Sequence, residues 1–129
     1  MAEKINWNFV AQVFKGPSIS GAGSFDDADA YEKFDFTIVN AGTNTVALQD
    51  TNKISLLIIS SATPNPGITY KGSPTALPGE PGSGYVLDEP HIFLGRIAKD
   101  FFKGITEITF TNGTGAEVGI QILIARKIA

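Results

Sequence analysis

The sequence contains no cysteine and only one histidine, one tryptophan and one methionine. Without cysteine there are no disulfides, thiolate metal sites or cysteine nucleophiles, and the chain fits a reducing compartment. The lone histidine, His91, follows Pro90 and precedes the apolar Ile92-Phe93-Leu94. A Ser-His-Asp triad would have to use it, yet no Gly-x-Ser-x-Gly elbow is present. A zinc site needs three or four ligands, and a cupin-type metal site generally several histidines. His91 reads most simply as a residue at a strand edge. Charge is also sparse, at 18% of residues, with a net charge of −3. No basic cluster exceeds the pair Arg126-Lys127, so the basic face that nucleic-acid binding requires is missing, as is a polybasic membrane anchor. The longest apolar run, Leu56 to Ile59, is far too short to cross a bilayer. The first residues, Met1-Ala2-Glu3-Lys4-Ile5-Asn6-Trp7, lack the apolar core of a signal peptide. The expectation is a protein made in the cytoplasm and not secreted by a signal peptide, with no nucleic-acid or membrane partner.

Phenylalanine (nine), glycine (14) and proline (seven) are plentiful. Isoleucine, valine, threonine and phenylalanine favour strands, while the glycines and prolines cluster between apolar runs as turns. A length of 129 residues fits one domain, 1–129, able to bury about two-thirds of its unfolded surface. Between Asn6 and Phe14, Trp7, Phe9, Ala11 and Val13 fall on one face, the mark of a half-buried strand; Gly16-Pro17 ends it. Residues 16 to 30 read as a loop with at most a short strand at Ser18 to Gly21. Glu32 to Val39 alternates most clearly, with Phe34, Phe36 and Ile38 opposed to Lys33, Asp35 and Thr37. After a turn at Asn40–Asn44 come a short strand, Val46 to Gln49, and a turn at Asp50-Thr51-Asn52. Ile54 to Ser61 is apolar on both faces and suits a central strand covered on both sides.

Pro64-Asn65-Pro66-Gly67 is a turn, and Ile68 to Lys71 a short strand. The run Gly72 to Gly84, rich in proline and glycine, is a long surface loop, a kind of segment that often carries function. Tyr85 to Leu87 and His91 to Ile97 return to extended, apolar character. Ala98 to Lys103 is compatible with one helical turn or a wide connection. Thr106 to Thr111 and Val118 to Ala125 read as a C-terminal hairpin about Asn112-Gly113. Its last strand places Val118, Ile120, Ile122 and Ile124 on one face. Gly119, Gln121, Leu123 and Ala125 form a second face, which is not fully polar and so suggests a contact. Phe36–Leu48 and Ile108–Ile120 echo one another as strand, Asn-Gly-Thr turn, strand, a likeness that any two β-hairpins can share. Seven to nine short strands predict an all-β, antiparallel β-sandwich with long Gly/Pro-rich loops, the jelly roll being one form of it. A closed barrel is the second choice.

Few residue groups point to chemistry. Glu80, Asp88 and Glu89 flank the Pro/Gly loop, but nothing fixes the carboxylate spacing that glycoside hydrolysis needs. Asp26, Asp27 and Asp29, with Glu32 following, form the densest acidic cluster; oxygen ligands on a loop suit calcium, though the EF-hand spacing is absent, and a solvated acidic loop is the simpler reading. The glycine-rich runs at Gly21–Gly23 and Gly79–Gly84 lack the Lys-Ser/Thr of a phosphate loop. Asn112-Gly113-Thr114 matches a glycosylation acceptor, and is better read as turn chemistry. Trp7, Tyr31, Tyr70 and Tyr85 are the rings that could stack on a sugar, although Trp7 lies on the apolar face of its strand. No enzyme activity, cofactor or metal is implied.

The segment Gly104-Ile105-Thr106-Glu107-Ile108-Thr109-Phe110-Thr111-Asn112, running on to Ile122-Leu123-Ile124-Ala125, resembles the terminal hairpins of small head- or tail-associated structural proteins of tailed bacteriophages. The likeness covers about a quarter of the chain. It implies a virion component, such as a capsid decoration protein, that assembles with copies of itself or with other virion proteins and has no catalytic residues. On this expectation Leu123, Ala125 and Ile128 pack against a neighbour. The Gly72–Gly84 loop, with Glu80 and Tyr85, reaches across the subunit boundary. The alternative is a carbohydrate-binding or adhesion module with exposed aromatic rings.

Overall fold

The computed structural model describes residues 3–12, 14–28, 30–63 and 65–126; along much of the first thirty residues only the backbone is described. The described residues form ten strands: β1 (Glu3–Gln12), β2 (Ser18–Ala28), β3 (Ala30–Ile38), β4 (Thr43–Ala47), β5 (Ile54–Ser61), β6 (Ile68–Ser73), β7 (Tyr85–Val86), β8 (His91–Leu94), β9 (Glu107–Asn112) and β10 (Val118–Arg126). A 3-10 turn lies at Thr51–Lys53, and one short helix, α1, spans Arg96–Phe101. β3 to β10 make two four-stranded antiparallel sheets, ordered β3-β10-β5-β8 and β4-β9-β6-β7. The architecture is an all-β sandwich.

The core sits between the sheets, where one face of each strand is apolar. β10 contributes Val118, Ile120, Ile122 and Ile124, β5 contributes Leu57 and Ile59, and the second sheet answers with Ile68, Tyr70, Ile108 and Phe110. Phe36 of β3 meets Phe110 of β9 edge to face across the gap, ring centres 5.7 Å apart. Period-two patterning predicted these faces because a strand turns its side chain over at every residue. β5 coincides with the apolar run Ile54 to Ser61 and lies inside its sheet, between β10 and β8.

Several expectations need correction. Residues 18 to 28 are not a loop: β2 pairs with β1 from Ser18 to Phe25 and again at Ala28, with a register shift between, in a separate two-stranded sheet. Serine, glycine and aspartate have low strand propensity, and pairing overrides it. The register sets Gly21 opposite Phe9 and Gly23 opposite Trp7, so the smallest residues lie across from the largest. The predicted strand Val46 to Gln49 begins earlier, at Thr43, and helix α1 begins at Arg96 rather than Ala98.

The C-terminal hairpin is not a hairpin. β9 belongs to the second sheet and β10 to the first, so residues 113–117 carry the chain from one sheet to the other. β3 and β4 are divided in the same way, and the two crossing units pair with each other, β3 on β10 and β4 on β9. The Asn-Gly signature marks a corner because Asn112 is fully buried there. Its Nδ2 donates to the carbonyls of Ile38 (3.0 Å), Val39 (3.1 Å) and Ala116 (2.6 Å), and its Oδ1 accepts from the Thr114 amide at 3.0 Å and hydroxyl at 2.7 Å. One amide side chain thus ties the ends of both crossings. A buried, fully engaged Nδ2 is not a glycosylation acceptor in the folded chain.

Candidate functional site

The first sheet has a second face, turned away from the core. Register places Lys33 opposite Leu123, Leu123 opposite Ile58, and Ile58 opposite Ile92. One row therefore crosses all four strands, with a charge at the β3 end and three large apolar residues after it. Lys33 is exposed, Leu123 and Ile58 are half-buried, and Ile92 is 61% exposed. The neighbouring row runs Tyr31, Ala125, Leu56, Leu94, and the row on the other side Asp35, Gln121, Ser60. A shallow depression of about 300 Å³ lies on this face, lined by Lys33, Ile58, Ser60, Gln121, Ile122 and Leu123. A sheet face wetted by solvent is ordinarily polar. An apolar row across a face that also carries a depression is the kind of patch that marks an interaction surface.

The predicted interface residues separate on this frame. Leu123 is central to the apolar row. Ala125, two residues on, is fully buried within its own chain together with Leu56 opposite it, and so has no surface to offer a neighbour. Ile128 lies outside the described residues. Glu80 and Tyr85 make bonds inside their own chain. The Glu80 carboxylate accepts from the amides of Gly72 at 2.9 Å and Leu77 at 3.2 Å. It holds the Pro/Gly loop over the sandwich, with Leu77 in the core. The Tyr85 hydroxyl donates to the Pro78 carbonyl, and its ring packs on Tyr70 and Phe101. Gly84 comes so close to the Tyr70 carbonyl that a Cβ would sit 2.7 Å from its oxygen, and its φ is +95°; only glycine fits.

His91 meets a partner that the sequence did not reveal. Its Nδ1 is 2.6 Å from the Tyr70 hydroxyl. The bond joins β8 of the first sheet to β6 of the second. Burial, and after it the neighbouring Tyr85, raises the Tyr70 hydroxyl above the ordinary tyrosine range, so it stays protonated at neutral pH. Tyr70 is 1% exposed, while His91 is half-buried. The two groups act as a clamp between sheets. Tyr70 is also lost as a sugar platform; of the four amphipathic rings, Tyr31 is exposed, Tyr85 half-buried, and the Trp7 side chain lies outside the description.

Among the described residues no group of three or more histidine or acidic side chains is placed to hold a metal ion. The side chains of Asp26, Asp27 and Asp29 fall outside the described set. At the end of the sandwich where β3 begins, Glu32 receives Arg126 Nη1 at 2.5 Å, and Arg126 Nε donates to the Gln49 carbonyl at 2.8 Å. Arg126 is 4% exposed, whereas the Glu32 side chain is half-buried. No protein-family model, no curated protein and no solved structure matches the chain.

Proposed function

We propose that this protein is a non-catalytic structural component that works by assembly, of the virion type that its C-terminal segment resembles: a capsid decoration or head- or tail-associated protein of a tailed bacteriophage. The observation that carries the reading is the row Leu123–Ile58–Ile92 on the outer face of the first sheet. Three large apolar side chains in line, beside the depression under Lys33 and Gln121, gain most by being covered with a like surface. Strand order is a second support. With β3 to β10 taken in sequence, the orders β3-β10-β5-β8 and β4-β9-β6-β7 support reading the sandwich as a double-sheet jelly roll, an architecture used by capsid proteins, lectins and cupins. One histidine serves the cupin reading poorly. The buried Tyr70 and in-chain Tyr85 serve the lectin reading poorly.

The test is the molar mass of the purified protein by light scattering across a concentration series, for the natural chain and for Leu123→Asp. The natural chain is expected to form a discrete oligomer, and Leu123→Asp to shift it toward 13.7 kDa with its circular dichroism unchanged. An oligomer untouched by Leu123→Asp means that this face is not the interface. A monomer at every concentration, with binding on a glycan panel, favours the carbohydrate module instead.

A further inference from the structure

β3 ends the first sheet, and its second edge is paired with no strand among the described residues. Nine residues, Ala30–Ile38, leave alternate amides and carbonyls of the backbone free to pair. Long open edges are liabilities that proteins either blunt or use. Here the outward residues are Tyr31, Lys33, Asp35 and Thr37, all exposed, and the inward Phe34 and Phe36 are only partly buried although they pack on the core. A strand laid along this edge would finish covering both rings.

We propose that the occupant is β3 of a second copy of the chain, paired antiparallel about a two-fold axis at Phe34. This inference rests on the assembly reading and specifies one contact within it. Its support is charge complementarity. Antiparallel neighbours in direct register share a face, so an outward residue must meet an outward residue. Centring the axis at Lys33 sets Lys33 against Lys33, and centring it at Asp35 sets Asp35 against Asp35. Centring it at Glu32 leaves Asp35 beyond the end of the partner's strand, and centring it at Phe36 does the same to Lys33. Only the axis at Phe34 sets Lys33 against Asp35 of the other copy, twice by symmetry, with Tyr31 against Thr37 outside them. Opposite charges directly across a strand pair stabilise it, and like charges oppose it. Glu32 would then lie across from Phe36, with its charge already engaged by Arg126. The dimer would join the two outer faces, so that the row Ile92–Ile58–Leu123–Lys33 continues into Asp35 and Gln121 of the second copy.

Charge reversal tests the register. Lys33→Asp and Asp35→Lys each place like charges across the axis and should each weaken self-association by about tenfold or more. The double variant restores opposite pairs and should associate like the natural chain. An equimolar mixture of the two single variants should form a heterodimer, because one copy is then acidic at both positions and the other basic at both. Masses from sedimentation velocity read all four samples, and because both side chains are exposed, each urea midpoint should stay near the natural value. Single variants that associate as well as the natural chain, or a double variant and mixture that stay dissociated, overturn the pairing. If the charge variants keep the natural mass while Leu123→Asp disperses it, the edge contact fails and the assembly reading stands. If the natural chain is monomeric at every concentration, this contact is excluded and the reading it rests on loses its support.

Discussion

At the scale of single residues, the hydrogen bond between Tyr70 and His91 connects the sheets at β8, the edge strand of its sheet among the described residues. Sequence showed Tyr70 as a strand residue and His91 as a strand-edge residue, and their separation of 21 positions hid the pair. The burial of the hydroxyl can be weighed through titration. The hydroxyl titrates higher in the folded chain than in the unfolded one, because burial disfavours the phenolate and Tyr85 adds to the effect. The folded state therefore holds the proton more tightly. This contribution to stability is full below the unfolded tyrosine value of about 10 and declines as pH rises above it toward the folded value. Tyr70→Phe removes the bond at a cost of roughly 1 kcal/mol at neutral pH and also removes the alkaline decline. Urea midpoints between about pH 9 and 11 should fall more steeply for the natural chain than for the variant. Parallel curves would mean that the hydroxyl is not buried as described.

At the scale of elements, the informative failure is the segment read as a terminal hairpin. Asn-Gly between two alternating runs is a strong hairpin signal, yet β9 and β10 lie in different sheets. What converts the turn into a corner is the burial of Asn112 under the end of β3. No local rule shows that burial, because Ile38 is 74 residues away. Gly67 belongs to the same corner: a Cβ there would stand 2.9 Å from the backbone of Gly113, so the β6 entry and the β9 exit touch backbone to backbone. Asn112→Ala should lower stability by about 2–3 kcal/mol, since it strips the donor from three carbonyls. Asn112→Asp should be worse at neutral pH, because an ionised carboxylate would face the same carbonyls. Its deficit should shrink on acidification, as the buried carboxyl takes up a proton more readily than in the unfolded chain. Equal midpoints for the two variants across pH would refute this account of the corner.

At the scale of the whole molecule, the strand pairs that close the first sheet are distant in sequence. β10 lies between β3 and β5, and Arg126 reaches Glu32 across 94 residues. Loops of that length must close before their contacts form, and sandwiches rich in such pairings fold in milliseconds to seconds. Stopped-flow refolding from urea should fall in that range. A refolding phase of about a hundred microseconds or less, carrying the full amplitude, would contradict the long-range pairing of β3 with β10. The outer face belongs to this scale too. Lys33, Leu123, Ile58 and Ile92 come from four strands, and only the assembled sheet puts them in one row.

The sequence by itself determined the all-β character, the core faces of β3, β5 and β10, and the want of cysteine beside a single histidine, because these depend on composition and on a two-residue period that any strand obeys. It also marked Leu123 as an apolar residue on a face that ought to be polar. The tertiary structure decided the pairing of β2 with β1, the division of β9 and β10 between sheets, the burial of Ala125, and the use of Glu80 and Tyr85 inside their own loop. Each of these depends on which distant residue arrives opposite. That is fixed by strand order and register, and neither can be read from neighbours along the chain.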